Sequence, residues 1–285
     1  MLTILQAIIF GFLQGITELF PVSSLGHSVI LPKLLGWNID QNAPFFLTFL
    51  VATHTATALV LFFYFFPEWK RIFAGIWRSL KEREIKESDT DAKLGWLLVV
   101  ATIPAGILGI LFEQTFASLF ANPQLVAGML ILNGMMLFFA EVLRKRRKEK
   151  TAVQSNKRLS KMTWTQAVKI GILQCIALIP GFSRTGATLT GSLLVGFSHE
   201  DAARFAFLLA TPIIGAASVL KLPELFGKTE NTALIPVIAG ALTAGVAAFF
   251  SVKFLTKYFE TKTLTPFAVY CVVLGAVLSI LFFFQ

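Results

Sequence analysis

QNAPFFLTFLVATHTATALVLFFYFFP, residues 41–67, runs for 27 positions without Asp, Glu, Lys or Arg. A helix needs about 20 apolar residues to cross a hydrocarbon core about 30 Å thick, because each residue advances it by about 1.5 Å. Stretches 94–112, 114–140, 231–252 and 263–285 are equally free of formal charge. Stretch 205–220 is shorter and bounded by Arg204 and Lys221, which can snorkel to the headgroups. These stretches predict six spans. Composition agrees: 55% of the 285 residues are hydrophobic and only 14% charged, and the mean hydropathy is +0.73. Soluble domains carry about 25% charged residues, so no soluble fold fits.

The formal net charge of +9 invites a nucleic-acid reading, but its distribution argues against one. Loop 67–93 holds seven Lys/Arg, loop 144–161 nine and stretch 253–262 three, whereas 37–43 and 113–122 hold none and 221–231 two. Basic residues on alternate loops follow the rule that Lys/Arg-rich loops stay in the cytoplasm. The partners expected are membrane lipid and a lipid substrate, with no nucleic acid; a homodimer is left open. Residues 1–32 contain no Lys or Arg, which argues against a cleaved signal peptide. Cys175 and Cys271 lie in apolar surroundings and read as small buried hydrophobes.

Residues 1–36 and 164–198 are apolar yet broken by Pro, Gly, Ser and single charges. At an offset of 160 they match repeatedly: Gly11, Leu13, Gln14, Ile16, Ser23, Gly26, Leu34 and Gly36 meet Gly171, Leu173, Gln174, Ile176, Ser183, Gly186, Leu194 and Gly196. The expected fold is an all-α polytopic membrane protein with an inverted-topology repeat, each unit a broken re-entrant hairpin plus three transmembrane helices. The first repeat takes 1–143, with hairpin 1–36 and spans at about 44–66, 94–112 and 123–143. A basic cytoplasmic linker, 144–163, follows. The second takes 164–285, with hairpin 164–198 and spans at about 201–220, 232–255 and 264–284. Three spans per unit, an odd number, invert the second copy. Broken helices that meet near the midplane in such repeats build polar sites.

The first break reads Gln14-Gly-Ile-Thr-Glu18-Leu-Phe-Pro21-Val-Ser23-Ser24-Leu-Gly26-His27, the second Pro180-Gly181-Phe182-Ser183-Arg184-Thr185-Gly186-Ala187-Thr188. Glu18 is the only carboxylate in the first 39 residues, and Arg184 the only formal charge between Lys169 and Glu200. Charges at that depth are costly and mark function; a mere pairing of Glu18 with Arg184 would leave the hydroxyls and His27 unexplained. The mixture suits a phosphate. A guanidinium forks onto two phosphate oxygens, and Gly, Ser and Thr beside a helix start offer N–H and O–H donors. Ser24 with His27 supplies a nucleophile and a base that share a face if the segment is helical. Glu18 can hold Mg²⁺ or Ca²⁺, hard cations that neutralise phosphoryl charge. His54 reads as a local hydrogen-bonding residue and His199 as a solvated helix cap.

Gln14-x-x-x-Glu18, then Pro21-Val-Ser-Ser-x-Gly-His27 and Pro180-Gly-Phe-Ser-Arg-Thr-Gly-Ala-Thr188, resemble the paired signatures of undecaprenyl-pyrophosphate phosphatases of the BacA/UppP type. The resemblance covers nearly the whole chain. It implies a bacterial plasma-membrane hydrolase with its site open to the periplasmic side, which releases the terminal phosphate of undecaprenyl pyrophosphate. The product is the lipid carrier of cell-wall synthesis, and overproduction confers bacitracin resistance. It also implies roles. Glu18 matches an acidic metal-associated position, Ser24 the nucleophile, and His27 the base or alternative nucleophile. Ser183, Arg184 and Thr188 match the phosphate-binding motif; Ser23, Thr185, Gly181 and Gln14 complete the substrate-binding set. Gln14 stands where many members have Glu, so the metal, Mg²⁺ or Ca²⁺, is less firmly implied than the reaction. Leu25 replaces a frequent Thr, and Thr185 a frequent Ser. The other class that fits is a polyprenyl-phosphate transporter or flippase built on the same midplane site; the Ser24–His27 pair separates the two, because a carrier needs no nucleophile. A structural scaffold would not explain Glu18 and Arg184.

Overall fold

The computed structural model describes residues 2–41, 43–119, 122–150, 159–223 and 231–284. Helices follow in the order α1 (Ile4–Thr17), α2 (Ser24–Leu35), α3 (Pro44–Tyr64), α4 (Phe66–Glu82), α5 (Thr90–Leu111), α6 (Glu113–Ser118), α7 (Pro123–Lys150), α8 (Trp164–Gln174), α9 (Arg184–Leu194), α10 (His199–Lys221), α11 (Asn231–Thr261) and α12 (Thr265–Phe283). Among the described residues, α3, α5, α7, α10, α11 and α12 are long and apolar enough to cross a membrane. The protein is thus an all-α polytopic membrane protein, and each of the six stretches read from the sequence overlaps one of these helices.

Two boundaries differ from expectation. The basic run from Arg144 continues α7 to Lys150 instead of forming a loop, because Arg and Lys are good helix formers and cations suit a helix C-terminus. The remainder of that linker, 151–158, and the stretch 224–230 lie outside the described residues. Loop 67–93 contains α4, whose Trp69, Ile72 and Gly75 are buried as the helix packs along α5.

Both broken segments fold as helix, break, helix, and they use the same local devices 160 residues apart. Thr3 and Gln6 form a capping box at the start of α1, and Thr163 and Gln166 form one at the start of α8. The Ser23 hydroxyl accepts the Gly26 N–H to cap α2, and Ser183 accepts the Gly186 N–H to cap α9. Packing is reciprocal as well. Helix α1 lies on α11 and α8 on α5, while α3 lies on α11 and α10 on α5. Small residues allow the approach: a Cβ on Gly11 would sit 2.1 Å from the Gly240 carbonyl oxygen, and one on Gly171 2.5 Å from that of Ala101. In apolar surroundings such close packing is the main source of helix association.

The two breaks meet inside this bundle. A Cβ on Gly26 would lie 3.1 Å from the Gly181 Cα. Gly181 itself has φ +104°, and a Cβ there would meet the Met129 Cβ at 2.5 Å, so only glycine serves. Asn133, buried in α7, joins both segments: its Nδ2 donates to the Pro21 carbonyl at 3.0 Å, and its Oδ1 accepts the Ser183 N–H at 3.1 Å. His199 departs from the solvated cap expected of it. It is buried, with Nε2 2.5 Å from Glu141 Oε1, and the same oxygen accepts the Leu264 N–H at 2.7 Å. The two cysteines are free, as expected.

Candidate active site

Glu18 closes α1 and carries its carboxylate into the first break. One oxygen, Oε1, is in an ion pair with Arg184 Nη2. The other, Oε2, accepts the Ser24 hydroxyl at 2.5 Å and the Gln14 amide at 3.1 Å, and has His54 Nε2 at 3.1 Å. The Glu18 carbonyl accepts the Thr185 hydroxyl at 2.8 Å, so the second hairpin grips the first by side chain and backbone together. Ser24 and Arg184 are the first residues of α2 and α9. Both helix N-termini therefore end at this centre, and unpaired N–H groups with the positive ends of two dipoles suit an anion there. Ser23, just ahead of Ser24, holds φ +70° and ψ +95°, a conformation costing about 1–3 kcal/mol that persists only where its surroundings enforce it.

This centre is the polar end of a cavity of about 350 Å³ lined by Thr17, Glu18, Ser23, Ser24, His54, Ser183 and Arg184. The body of the cavity is apolar, with Leu47, Leu50, Val51, Phe182, Ile213 and Ile214 on its walls. Glu113 and Lys221, ion-paired at 2.5 Å, also line it. A charged head at one end and a greasy body at the other is the shape of an anionic lipid.

The structure brings together Gln14, Glu18, Ser24, Arg184 and Thr185, with Ser23 and Ser183 as the caps beside them and Gly181 in the turn. Thr188 is buried one helical turn beyond Arg184 on α9. His27 is on the same helix as Ser24, three residues on, but its ring nitrogens go to other partners. Its Nδ1 donates to the Ser23 carbonyl at 2.6 Å, and its Nε2 accepts the Tyr270 hydroxyl at 2.8 Å. The reason is local. At a helix start the i−4 carbonyl is the nearest acceptor for a ring N–H, and taking it commits the ring to the Ser23 backbone. His54 takes the place beside Ser24, with Nε2 3.5 Å from its Oγ. Its Nδ1 donates to the Leu50 carbonyl at 2.7 Å, the local bond expected of it, and this aims the other nitrogen at Glu18. The sequence carried a signal for His54: it is the only histidine in the charge-free run 41–67, and ionisable residues inside spans mark function.

For a divalent cation, the donors present are one carboxylate, a hydroxyl and an amide oxygen. Gln14 Oε1 is buried without a hydrogen-bond partner, beside the Glu18 carboxylate. Among the described residues no group of three or more His, Cys, Asp or Glu could hold a metal. That donor set fits Mg²⁺ or Ca²⁺ shared with phosphate oxygens and does not fit an all-protein cage.

Fold and centre together define a multi-pass membrane protein with a buried serine–carboxylate–arginine cluster at the head of a lipid-shaped cavity. Residues 7–277 match the family described as bacitracin resistance protein BacA. The chain belongs to that family. It is 44% identical to the undecaprenyl-diphosphatase of Mycolicibacterium paratuberculosis over 293 residues, covering 96% of this chain and 95% of the relative. It is 43% identical to the undecaprenyl-diphosphatase of Acidiphilium cryptum, with 98% of each chain covered. Undecaprenyl-diphosphatase 2 of Frankia alni is 40% identical, over 99% of this chain and 98% of its own.

Proposed function

We propose that this chain is an undecaprenyl-diphosphatase in which Ser24 is the nucleophile and Glu18, with His54 beside it, manages the proton. One observation carries the assignment: the Ser24 hydroxyl donates at 2.5 Å to a carboxylate that also pairs with Arg184, at the polar end of an apolar cavity. The names of the relatives support the same activity, and the transporter reading has no support among them.

In the first step Ser24 Oγ forms a bond to the terminal phosphorus. The bridging P–O bond breaks, its electron pair leaves on undecaprenyl phosphate, and the serine proton passes to the Glu18–His54 pair. Water then forms a bond to the same phosphorus, the Ser24–phosphorus bond breaks, and the proton returns to Ser24. Arg184 exchanges Glu18 for the phosphoryl oxygens, where a planar fork meets two at once. The N–H groups at the starts of α2 and α9 receive the rest of the charge, as phosphoryl transfer requires positioning and charge stabilisation above all. Glu18 and Gln14 Oε1 would hold a divalent cation, which when bound neutralises charge on the diphosphate. His27, with both ring nitrogens engaged, acts through the Ser23 carbonyl to hold the strained turn that presents Ser24; it is a positioning residue.

We further place the chain in the bacterial plasma membrane with the cavity mouth outward, on the charge distribution of its loops. The test of the activity is phosphate release from undecaprenyl pyrophosphate by the purified protein, with and without EDTA. Release that depends on Ser24 supports the reading. Normal release by Ser24→Ala together with loss in His27→Ala would move the nucleophile to His27, and normal release by Ser24→Ala, His54→Ala and Glu18→Gln alike would remove the proposed chemistry.

A further inference from the structure

Helix α4 begins where α3 ends, Phe65 being both the last cap of α3 and the first of α4. It therefore leaves from the membrane end of a span. With roughly 100° between successive residues, its 17 residues divide into three sectors rather than two. Trp69, Ile72, Gly75 and Ser79 form the sector buried where α4 packs on α5; a Cβ on Gly75 would meet the Ala92 backbone nitrogen at 2.4 Å. A second sector is apolar and exposed: Phe66 is 48% exposed, Phe73 52%, Trp77 72% and Leu80 56%. Positions 73, 77 and 80 are spaced i, i+4, i+7, so they form one stripe.

The third sector is basic and borders the stripe. Arg71 and Arg78 are answered within the protein, by Asp91 at 3.7 Å and by Asp89 at 2.9 Å. Lys70 and Lys81 are exposed, and neither makes an ion pair among the described residues. They lie at i−7 and i+4 from Trp77, directly along its edge. An aromatic and aliphatic stripe flanked by Trp and unpaired Lys is the pattern of a helix lying in the membrane interface.

We infer that α4 is a lipid-binding element: its stripe of Phe66, Phe73, Trp77 and Leu80 lies at the acyl boundary, and Lys70 and Lys81 bind the headgroups of anionic phospholipids. The site is separate from the cavity and does not depend on the chemistry proposed there. The occupant follows from charge complementarity, since two cations beside an apolar stripe at a span end face the phosphate layer. Each lysine near an anionic surface strengthens binding by about fivefold.

The full chain in nanodiscs tests this through tryptophan emission, with the difference between wild type and Trp77→Phe isolating residue 77. Brominated acyl chains should quench that component and aqueous iodide should not. Headgroup-spin-labelled phosphatidylglycerol should quench it several-fold more than the phosphatidylcholine analogue at equal mole fraction. In Lys70→Gln/Lys81→Gln the headgroup preference should fall towards one, while acyl quenching persists and reports that the helix is still folded and docked. Iodide quenching without acyl quenching would overturn the inference. Equal quenching by the two headgroups in wild type would also overturn it. So would a residue 77 shielded from lipid and iodide alike, with chemical cross-linking then showing a second copy on this face.

Discussion

At the scale of the residue, Arg184 and Glu18 were legible because a charge inside an apolar segment is expensive and conspicuous. Arg184 should matter most in the transition state. Loss of such a donor costs about 10²–10³ in rate, and Arg184→Lys should recover little of it because an ammonium lacks the fork; kcat for phosphate release measures both. His54 and His27 separate by a different signature. If His54 shares the Ser24 proton, His54→Ala should lower kcat and change the pH profile of kcat/KM. His27→Ala should lower kcat with the profile intact, because the turn loosens while the proton path remains. Tyr270→Phe, which removes only the hydroxyl bound to His27, should show a weaker form of the His27→Ala effect. A pH profile altered by His27→Ala and not by His54→Ala would reverse the two assignments. What hid this division from the sequence is that spacing gives a helix face but not a ring's hydrogen bond. The i+3 spacing of Ser24 and His27 allowed contact, and the nearer Ser23 carbonyl took the histidine. Asn133 was hidden for a related reason: an amide in an apolar run reads as tolerated polarity until its partners, Pro21 and Ser183, are known.

At the scale of the element, length and hydropathy gave the spans, and the breaks were visible as Pro, Gly and Ser. The amphipathic α4 was not, because its basic residues were fully used in reading topology. Helix contacts yield sharper tests. A Cβ on Gly15 would meet the Ala244 carbonyl oxygen at 2.3 Å and the Ala247 Cβ at 2.7 Å, so Gly15→Ala should destabilise the α1–α11 contact by about 1–3 kcal/mol. Gly128 in α7 has open space around its Cβ position, and Gly128→Ala should be neutral or stabilising by up to about 1 kcal/mol. Thermal melting in detergent ranks the two, and equal effects would mean that close packing does not govern here. The start of α5 offers a pH test. Asp89 accepts the Ala92 N–H at 3.0 Å and is bound by Arg78, and these contacts, the backbone N–H first, hold its carboxyl below the usual carboxylate range. A lowered value means that its stabilisation is complete above the unfolded value of about 3.9 and is lost as pH falls through the folded one. Asp89→Ala should therefore cost about 1 kcal/mol at neutral pH, and the gap to wild type should narrow only on acidification below about pH 3.9.

At the scale of the whole molecule, the 160-residue offset and the charge of the loops are the features of the sequence that bear on architecture. We propose that the reciprocal packing of α1 on α11 and α8 on α5 reflects two copies of one unit set in opposite senses across the membrane. The orientation has a direct measurement. Cysteines placed singly at Ser88 and Asn122 should differ towards a membrane-impermeant thiol reagent on intact cells, with Asn122 labelled and Ser88 protected. The opposite result would turn the molecule over and close the cavity mouth to the outer face. The tie made by Asn133 bears on how such a molecule works at all. Alternating-access machines rock one half against the other about a fixed site, and here a single amide ties the two breaks to each other. If that tie holds the centre still, traffic falls to the substrate, which must drift in along the leaflet and drift out again. The molecule is then less a gate than a mooring, and the fluidity of the bilayer around it becomes part of its kinetics.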